Sequence, residues 1–130
     1  MRHAHLEQPF TGGDLYSLRS AVAAHMTPFS ETLREAVMIV VGELASNVVR
    51  HGGASGTLLL HVEDDTAVCT VSDSGPGLPG ADTVGTQPVP PQTLGGRGLW
   101  IIRRLCRSLD IVTGPDGTAI TVTIDGDQLT

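Results

Sequence analysis

Aromatic residues are nearly missing from this sequence. Phe10, Tyr16, Phe29 and Trp100 are the whole set, so aliphatic side chains must fill any core. Apolar residues make up 40% of the 130 positions, enough for one ordinary domain over 1–130. Positive charge is also scarce. Lys and Arg total 8 against 14 Asp and Glu, a formal net charge of −6, which argues against nonspecific nucleic-acid binding and its basic footprint. Only Arg103, Arg104 and Arg107 offer a local basic patch. There is no long hydrophobic run: the longest, around residues 36–41, falls far short of the roughly 20 residues that cross a membrane. The opening Met-Arg-His-Ala-His-Leu-Glu-Gln-Pro lacks the apolar stretch of a signal peptide. Cysteine occurs twice, at Cys69 and Cys106, each in an apolar run. Both are expected as buried, reduced core thiols, and a cytoplasmic location is expected with them.

What is present has clear periodicity. Residues 3–8 suit a short first strand. Asp14 is placed to cap a helix through Met26, with Leu15, Leu18 and Val22 at helical spacing, and Pro28 ends it. A longer helix is expected over 31–50, where Thr32 and Glu35 have capping-box spacing. Leu33, Val37, Val40, Val41, Leu44 and Val48 form its apolar stripe, and Gly52-Gly53 supply its stop. The period then changes to two: strands are expected over 57–63 and 67–73, joined by Asp64-Asp65. Residues 74–95 are rich in Gly and Pro and carry no element, a long loop of the functional or mobile kind. A helix over 99–107 and strands over 109–113 and 118–124 close the chain, the last two around Gly114-Pro115-Asp116-Gly117. There, Leu99, Ile102, Leu105 and Cys106 should pack the helix on the sheet, with Trp100 as a further packing residue. This order predicts an α+β two-layer sandwich, with helices on one face of a mixed, largely antiparallel sheet.

Three short segments carry chemistry. Glu43 and Asn47 are four apart on the long helix and share a face at the edge of its stripe. They form either a solvated polar edge or a carboxylate and a carboxamide directed into one cavity. An amide oxygen suits Mg²⁺, and a carboxylate beside it can accept a proton from an attacking hydroxyl. Asp73-Ser74-Gly75-Pro76-Gly77 follows a strand. It is either a plain turn or a place where Asp73 accepts a hydrogen bond from an exocyclic amine such as that of adenine, with glycines allowing close approach. Gly95-Gly96-Arg97-Gly98 leads into a helix, whose free N–H groups and positive dipole end suit phosphates. Arg97 either touches a terminal phosphate or sits in solvent. The segment is neither a Walker loop nor a dinucleotide fingerprint. His3 and His5, alternating near the start, read as solvated, and His25 and His61 have no evident partner in the sequence.

Taken together, Glu43-Leu-Ala-Ser-Asn47-Val-Val-Arg50-His51-Gly52, Asp73-Ser-Gly75-Pro-Gly77 and Gly95-Gly-Arg97-Gly98-Leu99 resemble the N, G1 and G2 boxes of Bergerat-fold (GHKL) ATPases. The match spans roughly residues 10–124. The Glu-x-x-x-Asn-x-x-x-His-Gly pattern looks most like bacterial anti-sigma factor serine/threonine kinases. By that resemblance Glu43 takes the general-base position and Asn47 the Mg²⁺ position. Asp73 takes the adenine position, with Gly75 and Gly77 in the turn beneath the base. Gly96, Arg97 and Gly98 fall at the phosphate-facing end of an ATP lid over about 76–97. Thr118 matches a hydroxyl that helps hold the adenine site, and Arg50 lies at a helix end near phosphates. The resemblance implies ATP and Mg²⁺ as cofactors and phosphorylation of a serine or threonine on an anti-sigma antagonist. It also implies sequestration of a sigma factor, often by a homodimer, with no direct nucleic-acid or membrane partner. Two departures are the short chain and the Pro-rich lid. The alternative from another class is an ATP-binding regulatory module that does not phosphorylate its partner; retention of Glu43 favours the kinase. A histidine-kinase catalytic domain fits the fold, but the chain shows no helical segment carrying a phosphoacceptor His.

Overall fold

The computed structural model of the protein describes residues 2–51, 55–73, 87–88, 96–115 and 117–129, with the backbone alone for 51, 87–88 and 96–99. The strands are β1 (His3–Thr11), β2 (Ser55–Glu63), β3 (Thr66–Asp73), β4 (Gln87–Pro88), β5 (Ser108–Gly114) and β6 (Gly117–Asp125). They form one sheet in the order β1-β2-β3-β6-β5-β4, and each of these pairings is antiparallel. The helices are α1 (Leu15–Met26), α2 (Glu31–His51) and α3 (Gly96–Leu105). α1 packs on β1 and α2, α2 on β3, β6 and β2, and α3 on α2.

The alternation read in the sequence decides which face of the sheet they cover. Leu58, Leu60 and Val62 of β2, Ala67, Cys69 and Val71 of β3, and Ile120, Val122 and Ile124 of β6 are all buried. Their neighbours in sequence point to the opposite, open face. The aliphatic stripe of α2, including Leu33, Val37, Val40, Val41, Leu44 and Val48, is buried against this face. An aliphatic core is thus built with only Phe10 and Phe29 as buried aromatics. Among the described residues no helix is long and apolar enough to cross a membrane.

Several local expectations are corrected. Asp14 makes no side-chain cap on α1. A short 3-10 turn, Gly12–Asp14, precedes the helix, and the Asp14 carboxylate instead accepts from the Thr11 hydroxyl at 2.9 Å and the Thr11 amide at 3.2 Å. Ser30, rather than Thr32, caps α2: its hydroxyl accepts from the Leu33 amide at 3.2 Å. The third helix starts three residues before the expected Leu99. Trp100 does not pack inward; it is 60% exposed. Two residues of helix turn the chain by about 200°, so Trp100 stands opposite buried Ile102, and the Arg104 guanidinium lies 4.8 Å from its ring centre. The two-residue strand β4, opposite Thr113 and Val112, falls inside the segment expected to have no element; so short a pairing leaves no periodic trace. The glycines at 52 and 53 lie outside the described residues.

Both cysteines are free. Burial pushes the Cys69 thiol up to about 12, which keeps it neutral and unreactive. Cys106, just past the end of α3, is only half-buried, and that burial raises its pKa as well.

The β2–β3 turn ends in an acidic cluster of Asp65, Asp125 and Asp127, with ligand oxygens within 4.8 Å of one another. Partial burial, then the hydrogen bond and charge of Asp127, raise the Asp65 pKa, while the Ser30 hydroxyl, 3.3 Å away, lowers it. A carboxyl with a raised folded pKa stabilises the fold at low pH, and that contribution is lost as pH rises through the folded value. Asp127→Asn should therefore raise the melting temperature at neutral pH, and the gain should vanish under acid. Melting curves at neutral and acid pH check this; an equal shift at both would remove the electrostatic account.

Candidate functional site

The two ends of the sheet differ in chemistry. At one end sit Ser30, Asp65 and Asp125, joining the start of α2 to the start of β3 and the end of β6. From there α2 and β3 run in the same direction. Asn47 is sixteen residues beyond Glu31, about 24 Å of helix, and Asp73 is seven beyond Thr66, about 23 Å of strand. The last turns of α2 therefore reach the level of the end of β3.

The β5–β6 hairpin brings its turn to that same end, because Asp73 pairs with Thr118 and Thr118 with Thr113. Gly117, the first residue of β6, has φ 144°, a conformation that side chains rarely adopt. By parity Asp73, Thr118 and Thr113 all face the helices. Phe10 and Gly56 continue the row toward β1. A Cβ on Gly56 would stand 2.7 Å from the Ser72 carbonyl oxygen and 3.1 Å from the Phe10 ring, so no larger residue fits.

Among the described residues, the buried polar side chains are Asn47, Thr113 and Thr118. All three belong to this end of the molecule. Thr113 and Thr118 share a hydroxyl hydrogen bond of 2.7 Å. On α2 each step of four residues winds about 40° round the axis. Exposed Ile39, half-buried Glu43 and Asn47, only 9% exposed, follow this drift from solvent into the core. Glu43 thus stands at the rim and Asn47 inside it. Arg50, one turn on, is exposed.

α3 finishes at the opposite end, where the Arg107 amide donates to the Thr123 carbonyl at 2.7 Å and Arg107 lies 3.7 Å from Asp125. The helix packs against α2, and its first turn lies about 14 Å of helix from that end. Gly96 and Gly98 are in that first turn, which presents free backbone N–H groups. The side chain of Arg97 and the residues Gly75 and Gly77 lie outside what is described, as does most of the expected lid over 76–97.

A hollow of about 560 Å³ opens beside Asp73, lined also by Phe10, Thr11, Gly56, Thr57 and Ser72. It is of ligand size, but it lies on the β1 side of Asp73 and includes none of Glu43, Asn47 and Thr118. Thr113 and Phe10 were not singled out in the sequence. For Thr113 the signal was present in Thr113-Gly114-Pro115-Asp116-Gly117-Thr118, where two threonines flank a tight turn and must face each other.

The chemistry of this end suits a nucleotide with a divalent ion. It joins a buried carboxamide, a carboxylate one turn before it, a second carboxylate at a strand end and paired hydroxyls. Comparison with known proteins concerns the chain as a whole. Residues 9–124 match the family model described as a histidine kinase-like ATPase domain. The solved structures similar in fold include two histidine kinases. One is the histidine kinase domain of the blue-light activated histidine kinase of Erythrobacter litoralis EL346, 21% identical, at TM-score 0.58 over 97% of this chain and 70% of that one. The other is the Acinetobacter baumannii histidine kinase AdeS, 15% identical, at TM-score 0.53 over 94% of this chain and 68% of that one. No protein of curated function matches the chain. A family match over nearly the whole length, on a fold that gathers these groups at one end, means that the chain belongs to the histidine kinase-like ATPase domains, the GHKL-type domains that bind ATP, typically with Mg²⁺.

Proposed function

We propose that this protein is an ATP-dependent serine/threonine kinase of the anti-sigma factor type. It phosphorylates a small anti-sigma antagonist and sequesters a sigma factor, working as a homodimer. The observation that carries the kinase reading is Glu43, at the rim of the site one helical turn before the buried Asn47. ATP held with Mg²⁺ supplies the phosphoryl group and neutralises charge on its oxygens. Asn47 offers the metal its amide oxygen. Asp73 accepts from the exocyclic amine of adenine, and the Thr118 hydroxyl, held by Thr113, supports the same end of the base. The first turn of α3, with Gly96, Arg97 and Gly98, faces the phosphates, and Arg50 lies beyond Asn47 on the same side. Glu43 takes the proton from the partner's hydroxyl. The ligand-sized hollow beside Phe10 lacks the carboxamide and the threonine pair, so the phosphates are assigned to the α2 side of Asp73.

The alternative is an ATP-binding regulatory module that holds its partner without phosphorylating it. Titrating the protein with ATP, with and without Mg²⁺, in a calorimeter tests the shared premise: one Mg²⁺-dependent site is expected, and no binding at millimolar ATP would remove both readings. Phosphoserine or phosphothreonine on a co-purified partner after addition of Mg-ATP separates the two.

Asp73→Asn should weaken ATP binding by about 10- to 100-fold, the worth of a hydrogen bond to a charged acceptor. It should also narrow the preference for ATP over GTP. The same titration checks this, and unchanged affinity would remove Asp73 from the adenine.

A further inference from the structure

The open face of the sheet carries a group of donors that the nucleotide reading does not use. His3 and His5 lie on β1, and His61 and Glu63 on β2. The register sets His5 directly opposite His61 and His3 directly opposite Glu63. All four have odd numbers, whereas buried Leu6, Leu60 and Val62 have even ones, so the four share the face away from the helices. The Asp64 amide donates to the Arg2 carbonyl at 2.7 Å. Residues 2 and 64 are therefore a hydrogen-bonded pair, and by alternation 3 with 63 and 5 with 61 are non-hydrogen-bonded pairs. In such pairs the side chains come closest, with Cα atoms about 4.5 Å apart. Pro9, opposite Thr57, fits the same phase: its missing N–H falls on the free edge of β1.

The side chains already lean together. The rings of His5 and His61 have centres 6.2 Å apart at 61°, and His61 Nε2 is 3.9 Å from Glu63 Oε2. Two imidazoles bound to one tetrahedral ion at 2.0–2.1 Å would have ring centres about 5 Å apart. The present spacing is therefore about 1 Å from closure. The side chains of His61 and Glu63 are 53% and 58% exposed, so rotation about their side-chain bonds is unhindered by packing.

We propose that His5 and His61, completed by Glu63 with His3, which stands opposite Glu63 in the register, as a fourth donor, form a binding site for a divalent transition metal of the zinc class. Imidazole with one carboxylate selects Zn²⁺ and Co²⁺ over Mg²⁺ and Ca²⁺, which prefer all-oxygen sets. The site is separate from the nucleotide end. An ion there ties β1, which has a free edge, to its neighbour β2, so it acts as a clip on the sheet.

The test uses the intact chain without nucleotide. Zn²⁺ is titrated calorimetrically and the melting temperature is followed with and without Zn²⁺; Co²⁺ serves as the spectroscopic probe. The expected result is one equivalent bound, a rise in melting temperature, and Co²⁺ absorption of a tetrahedral nitrogen–oxygen site. His5→Gln and His61→Gln should each weaken Zn²⁺ binding by about tenfold or more, since even groups that only orient a ligand account for that much. The double variant should lose both the binding and the thermal shift. Because these side chains are exposed, the variants should melt like the unaltered protein without metal. Asp127→Asn, which disables the acidic cluster at the β2–β3 turn, should leave Zn²⁺ binding unchanged. Equal Zn²⁺ affinity in the double variant, loss of binding in Asp127→Asn, or no binding by the unaltered chain at sub-millimolar Zn²⁺ would each overturn the proposal.

Discussion

Glu43→Gln should abolish phosphoryl transfer while sparing the nucleotide, with transfer slowed by about 10²- to 10⁴-fold and ATP affinity changed by no more than about twofold. The substitution keeps the length and shape of the side chain and removes only its ability to take a proton. Glu43 is half-buried at the rim of the site, on the outward side of Asn47, so no packing is lost. Single-turnover transfer to the partner, read beside an ATP titration, separates the two quantities. A Gln variant that transfers at the unaltered rate would show that Glu43 is not the base. A variant that loses ATP affinity and transfer together would move Glu43 into the nucleotide contacts and favour the regulatory module, in which Glu43 has no proton to take.

The parts of this site differ in how far they could be read without coordinates. Glu43 and Asn47 were legible because helix periodicity is local: the stripe from Leu33 to Val48 fixes the angular position of every residue between. The same holds for Asp73, whose parity with Cys69 and Val71 sets the face it occupies. What periodicity does not carry is pairing between distant strands. Nothing near His61 in sequence shows that His5 lies across from it, because the eighteen residues of β1 and β2 meet only after two helices have folded between them. Thr113 was overlooked for a milder form of the same reason, since a threonine in a β-rich stretch is unremarkable until the hairpin turn sets it against Thr118. Trp100 shows a third kind of failure. The helix around it is legible, but aromatic bulk does not signal packing where angular position decides, and Trp100 is two residues out of phase with Ile102. The lid expected over 76–97 lies for the most part outside the described residues.

Leu44 follows Glu43 directly, precedes Asn47 by three residues and has no exposed surface. The turn of α2 that presents the two polar groups is therefore the turn that Leu44 anchors in the aliphatic core. Leu44→Ala should lower stability by about 2–5 kcal/mol, the transfer term of the lost atoms plus the cavity left behind. The core holds few aromatics and its aliphatic side chains are already buried, so little can shift into the gap, which favours the upper part of that range. A domain of this size has only about 5–15 kcal/mol in total, so a drop of about 10–20 °C in melting temperature is expected. Leu44→Met, which conserves volume, should cost less than about 1.5 kcal/mol. Urea denaturation with matched slopes measures both. Saturating Mg-ATP should restore part of the loss in the Ala variant, because ligand binds the folded chain and not the unfolded one. A cost below about 1 kcal/mol for Leu44→Ala would mean that this turn of α2 is not seated on the sheet as described, and the placement of Asn47 at the same end of the molecule as Thr118 would fall with it.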